Sequence, residues 1–232
     1  NPFIQGAFQS FRIPGRLLAG ITRKGLPLLV NEFLWASGMA IMNQCYSTCG
    51  LSVVPAQNIS STISNLASVV FLALGNSVGI IMGQMLGAER PETEVRGANR
   101  KLVALSIVSS VVLGSVIAAI SGLFPRLYNT GEDVRLLAAQ LICISALMMP
   151  FHGYIHAAYF AMRSGGKTLI TFFFDSGYIW LVVVPLAFCL SRFTLIPVIW
   201  IFAICNGSEI LKCVLGKFVM DKDSWIQDLT KL

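Results

Sequence analysis

Six apolar stretches, each long enough to cross a lipid bilayer, constrain this chain more than any other feature. A helix needs about 20 apolar residues to span the ~30 Å hydrocarbon layer. The candidate spans run Gly25–Tyr46, Ala56–Leu86, Leu102–Phe124, Val134–Met162, Thr168–Leu190 and Leu195–Val219. Inside hydrocarbon no water is present to bond the backbone, so each span is expected to be a helix. The stretches are too long and unbroken for the ~10-residue alternating strands of a membrane barrel. The expected fold class is therefore all-α, a polytopic membrane protein. Only 12% of the 232 residues are charged, about half the usual share in a soluble domain. A soluble enzyme, a disordered tail and a disulfide-stapled secreted module are excluded on that ground.

The formal charge of +6 would raise nucleic acid as a partner in a soluble protein. Here Lys and Arg flank the apolar spans, so topology accounts for them and no nucleic-acid partner is expected. If the spans alternate, fourteen of the 17 basic residues fall on one side. The positive-inside rule makes that side cytoplasmic and places both ends of the chain there. Six cysteines (45, 49, 143, 189, 205 and 213) lie scattered through apolar sequence with no zinc-site spacing and read as small buried hydrophobes. The chain opens as Asn1-Pro2 in a polar, basic stretch without a signal-peptide pattern, which is expected of a chain entered partway. Pro27 is expected in the first turn of span one, where proline costs little. Pro150, Pro185 and Pro197 are expected to bend the later spans.

Ionisable residues within spans are costly and are functional hypotheses by default. Glu32 is the sharpest. At about 100° per residue, Glu32, Met39 and Asn43 share one face of span one, with Asn31 and Trp35 flanking. Two roles are open: a wetted carboxyl that exchanges a proton or sodium ion, or a hydrogen-bonded acid that fixes packing. Span two carries a polar stripe, Asn58, Thr62, Asn65 and Asn76, able either to line a substrate path or to join helices. Span four aligns His152, His156, Tyr159 and Arg163 on one face. No third metal ligand accompanies the two histidines, and proton titration, substrate contact or packing remain open to them. Asp175 is expected near the start of the fifth helix, where the helix dipole favours it. Glu209 and Lys212 are expected to form an interfacial pair. Gly75, Gly79, Gly83 and Gly87 make a small-residue ladder suited to close helix contact. Trp225 to Leu229 reads as an amphipathic surface segment.

Several short elements resemble the C-terminal lobe of MATE (multidrug and toxic compound extrusion) transporters. They are Gly25-Leu26-Pro27-Leu28-x-x-Asn31-Glu32, Gly83-Gln84-x-x-Gly87-Ala88 and Arg163-x-Gly165-Gly166-x-Thr168. Asp175 followed by Trp180 and Pro185, and Trp225-x-x-x-Leu229-Thr230, complete the set. The resemblance implies helices seven to twelve of a pseudo-symmetric twelve-helix transporter. Residues 1–24 would belong to the cytoplasmic inter-lobe linker, 25–219 to the six-helix lobe, and 220–232 to a cytoplasmic amphipathic tail. It implies export of cationic or amphiphilic compounds across the plasma or inner membrane by alternating access, in exchange for protons or sodium ions. The partners it implies are the bilayer, a small-molecule substrate and an N-terminal lobe absent from this chain.

By the same resemblance Glu32 falls on the coupling acid of helix seven. His152 stands where the sodium-coupled branch has an aspartate, and Lys167 replaces the usual acid of its loop. An imidazole is a poor sodium ligand, so proton coupling is the better expectation. Asn43, Met39, Trp35, Asn58, Asn65, His156, Tyr159 and Asp175 are the expected cavity-lining residues. No cofactor beyond the coupling ion and no enzymatic activity are expected. The alternatives are a related flippase for lipids or lipid-linked oligosaccharides, and a non-transporting assembly module.

Overall fold

The computed structural model describes residues 15–88, 90–166 and 168–221. The opening segment 1–14, Lys167 and the 222–232 tail with its Trp225–Leu229 stretch lie outside the described residues. Four long helices come first: α1 (Gly15–Ser47), α2 (Val53–Gly87), α3 (Glu92–Ile120) and α4 (Glu132–Ser164). The fifth span is composite, running from α5 (Thr168–Phe172) through two π-helical turns (Phe173–Gly177 and Ile179–Val183) into α6 (Val184–Phe193). The sixth is broken into α7 (Val198–Gly207) and α8 (Glu209–Asp221). Among the described residues six helical segments are long and apolar enough to cross a membrane. The chain is an all-α polytopic membrane protein, and its many exposed Leu, Val and Ile side chains, such as Leu66, Val108 and Leu169, suit a surface solvated by lipid.

The breaks have local causes. Proline lacks a backbone N–H and clashes with the preceding turn. The two π turns come immediately before Pro185 and widen the helix there. In the sixth span Asn206 Nδ2 donates to the Phe202 carbonyl at 2.8 Å and Ser208 Oγ donates to that of Cys205 at 2.7 Å. Side chains that bond the backbone in this way compete with regular helix. The Ser208 carbonyl receives the Tyr178 hydroxyl instead. The break makes Glu209 the first residue of α8, where the helix dipole favours a carboxylate. Gly166, at φ 78°, makes the tight turn after α4 that a side chain would strain.

Two expectations about helix ends are corrected. Pro27 lies well inside α1 rather than in its first turn, because the helix already begins at Gly15. The run Arg16-Leu17-Leu18-Ala19 after Gly15 is good helix sequence. Arg163, just past the expected end of span four, is the penultimate residue of α4.

α4 is the hub. It packs along α2 and α3 and reaches α8, whereas α1 packs mainly on the fifth span and only lightly on α2. One core joins Ile59, Phe71, Leu141 and Ile142, and a second joins Val78, Met82, Val95 and Met162. A third gathers Tyr46, Tyr178, Ile201 and Cys205 between α1 and the last two spans. All six cysteines are free. Hydrocarbon supplies no hydrophobic drive between helices, so close packing and small residues hold them. A Cβ on Gly114 would stand 2.7 Å from the Ala146 carbonyl oxygen, and one on Gly75 would strike the Phe160 ring. The glycine ladder of α2 divides on this criterion: Gly75 and Gly79 face Phe160, while Gly83 and Gly87 have open space.

Gly114→Val is therefore expected to force α3 off α4 and destabilise the fold by about 1–3 kcal/mol. Gly83→Ala, facing open space, is expected to change stability by less than about 0.5 kcal/mol. Thermal unfolding of both variants in detergent checks the contrast.

Candidate functional site

The polar side chains of the apolar spans converge at the crossing of α1, α4, the fifth span and α8. Asn31, only 3% exposed, is the centre. Its Nδ2 faces the Asp175 carboxylate at 3.3 Å and the Tyr159 hydroxyl at 3.4 Å. Ser176 Oγ lies 2.7 Å from both the backbone oxygen and Oδ1 of Asn31, so its one proton is shared between two acceptors. Both Asp175 and Ser176 belong to the first π turn. Turns of this kind re-aim side chains and recur at functional sites.

Asp175 Oδ1 accepts from Lys212 Nζ at 3.3 Å. Lys212 is 5% exposed, and its ammonium lies 5.2 Å from the centroid of the Phe174 ring and 5.9 Å from that of Tyr178. A buried ammonium is tolerable when it is paired and faces aromatic π-density. Gly216, one turn beyond Lys212, lets Phe174 approach α8. The expected placement of Asp175 by a helix N-terminus is thus corrected: it is the eighth residue of its span, and Lys212 and Asn31 hold it. The expected pairing of Glu209 with Lys212 is corrected as well. The two residues share one face of α8, but each finds a closer charge on another helix.

Glu209 meets His152. The His152 Nε2 to Glu209 Oε2 distance is 2.8 Å, an ion-pair contact without an aligned ring N–H bond. Phe71 covers this corner, its ring centroid 6.4 Å from that of His152 and 5.8 Å from that of His156. His156 Nδ1 lies 2.9 Å from the His152 carbonyl, which can only accept, so Nδ1 carries the proton.

Glu32 occupies the open edge. Its side chain is 60% exposed and lies 3.9 Å from Arg163, whose guanidinium sits 5.9 Å from the centroid of the Tyr159 ring. A polar path therefore runs from Glu32 through Arg163, Tyr159, Asn31 and Asp175 to Lys212, with the His152–Glu209 pair a turn away on α8. Of the remaining expected residues, Asn43 accepts a hydrogen bond from Gln57 at 2.8 Å, joining α1 to α2. Trp35 is exposed and Met39 half-buried along α1, and Asn58 and Asn65 are exposed on α2. No side-chain hydrogen bond joins these last four to the network among the described residues. No group of three or more His, Cys, Asp or Glu converges to hold a metal ion among the described residues.

Sequence reasoning missed the opposing charges Arg163, Lys212 and Glu209 as members of this network. One signal was available. Lys212 stands in the otherwise apolar run Ile210-Leu211-Lys212-Cys213-Val214-Leu215-Gly216, with a small residue one turn on, as a buried contact face requires.

The MatE family model matches residues 27–189, from the proline of α1 to the middle of α6. The chain belongs to the MatE family. Its MatE relatives include the "Probable multidrug resistance protein NorM" of Shewanella oneidensis, 26% identical over 74% of this chain and 37% of that protein. The "Probable multidrug resistance protein YoeA" of Bacillus subtilis is 21% identical over 80% of this chain and 40% of its own length. "Protein DETOXIFICATION 47, chloroplastic" of Arabidopsis thaliana is 26% identical over 60% and 27%. The chain spans about two fifths or less of the length of these MatE relatives. Glu32, His152 and Asp175 lie inside the family match, while Glu209 and Lys212 lie beyond it.

Removing one member of a buried ion pair strands the other. Lys212→Met and Asp175→Asn are each expected to destabilise by about 3–5 kcal/mol, and the double variant to recover most of the loss. A double-mutant cycle of unfolding in detergent measures the coupling.

Proposed function

We propose that this MatE chain is the C-terminal half of a cation-coupled antiporter that exports cationic or amphiphilic compounds by alternating access. The observation that carries the reading is Glu32, a carboxylate 60% exposed on an apolar span and held on one side by Arg163. A charge exposed from such a helix does not face lipid at acceptable cost. It requires a wetted cavity, and a second six-helix lobe packed across α1 and α2 would form one. Glu32, Trp35, Met39 and Asn43 then make one wall, with Asn58 and Asn65 on α2. The names of the bacterial relatives, both multidrug resistance proteins, support a drug or metabolite as the exported species.

Protons are the favoured coupling ion. Asp175 already holds Lys212 and Glu209 already holds His152, which leaves Glu32 as the carboxyl with the loosest partner. One carboxylate beside a guanidinium is a poor sodium site. Protonation of Glu32 would release Arg163 and, through Tyr159, alter what Asn31 and Asp175 feel. A coupling ion shifts a two-state transporter only by binding its two states unequally, and an ion pair present in one state supplies that inequality. The basic end of the bundle is placed in the cytoplasm of the plasma or inner membrane.

Glu32→Gln in the full-length transporter, both lobes present, tests the reading in reconstituted vesicles loaded with a cationic dye. Export driven by a proton gradient is expected to fall by about tenfold or more, a coupling loss of at least about 1.4 kcal/mol. Dye binding is expected to persist. Undiminished gradient-driven export by this variant contradicts the assignment.

A further inference from the structure

A groove of about 1180 Å³ opens between α3, α4 and α8, and Glu32 is not part of its lining. It is polar at one end and apolar along the rest. Asn99, Arg100, Lys217 and Asp221 stand at the polar end, and Ile107, Phe151 and Val214 line the remainder. Asn99 is buried there, 8% exposed. Arg100 and Lys217 are exposed, and neither makes an ion pair among the described residues. Arg96 also reaches the groove but is held by Glu92 at 2.7 Å. Among the described residues the rim thus sets two cations without an ion pair against one carboxylate, and it attracts an anion.

The geometry points to a bound anionic glycerophospholipid, such as phosphatidylglycerol. Its phosphate sits between Arg100 and Lys217, and an acyl chain lies along Ile107, Phe151 and Val214. From Asn99 to Ile107 the helix rises about 12 Å, most of the ~15 Å depth of one hydrocarbon leaflet. The polar end lies at the N-terminus of α3 and the C-terminus of α8, the end of the bundle that carries most of its Lys and Arg. Cations at that depth are placed to meet the phosphates of the same leaflet. Phosphatidylcholine offers no net charge. Free phosphate has nothing to fill the apolar part. The inference requires the chain to span a bilayer and is independent of the transport reading.

Native mass spectrometry of the purified protein in neutral detergent, with equal amounts of phosphatidylglycerol, phosphatidylethanolamine and phosphatidylcholine, tests it. Phosphatidylglycerol is expected to be retained about thirtyfold over phosphatidylcholine, the ratio that two cations give at the usual increment for each. The double variant Arg100→Gln/Lys217→Gln is expected to bring it down to the phosphatidylcholine level. The melting temperature of the lipid-free double variant shows whether it folds. Equal retention of the three lipids, or undiminished phosphatidylglycerol binding by the folded double variant, overturns the proposal. So does binding seen only after removal of residues 222–232, which would give the groove to the chain's own tail.

Discussion

An ammonium and a carboxylate held 3.3 Å apart within apolar helices set the terms for the rest of this structure. Neither ion is tolerable alone in hydrocarbon, so the fifth span and α8 must meet in one register. Asn31 then ties α1 to the same point, and Tyr159 ties α4 to it. Such a pair adds little net stability compared with well-packed apolar side chains, because both ions lose their hydration. Its contribution is specificity. Lipid-facing helices slide and rotate against one another at small cost, and a buried pair leaves them one low-energy arrangement.

The irregular backbone serves the same end. The π turns before Pro185 carry Asp175 and Ser176 to Asn31, and the break at Ser208 presents Glu209 at a helix N-terminus opposite His152. Tyr178 joins the two irregularities, its hydroxyl bonded to the Ser208 carbonyl. Regular helices through these spans would place the charges elsewhere on their surfaces. Helix breaks are affordable here only because neighbouring groups take up the freed carbonyls.

Much of the fold was legible in the sequence because one rule dominates it. Runs of about 20 apolar residues must be helices in a membrane, and all six expected spans correspond to helical segments. Helix ends were less legible. Pro27 marked no start, since a proline can sit inside a helix whose flanks are strong helix formers. The site was legible by residue type and not by pairing. Glu32, His152, Asp175 and Tyr159 stood out as polar groups in apolar sequence. Their partners Glu209 and Lys212 looked like an interfacial pair, and Arg163 was aligned with Tyr159 but not matched to Glu32, because spacing within one helix says nothing of what faces it from another. Glu209 and Lys212 satisfy the i,i+3 rule and still pair across helices, where burial makes a fixed charge worth more than an exposed neighbour.

The account stands on Glu32 being wetted while the apolar faces around it meet lipid. Reaction of Glu32→Cys, in a cysteine-free background in native membranes, with a charged, membrane-impermeant thiol reagent measures this directly. Leu66→Cys, on an exposed apolar position of α2, serves as the lipid-facing control. The account predicts rapid labelling at position 32 and almost none at position 66. Equal protection of both positions would contradict it.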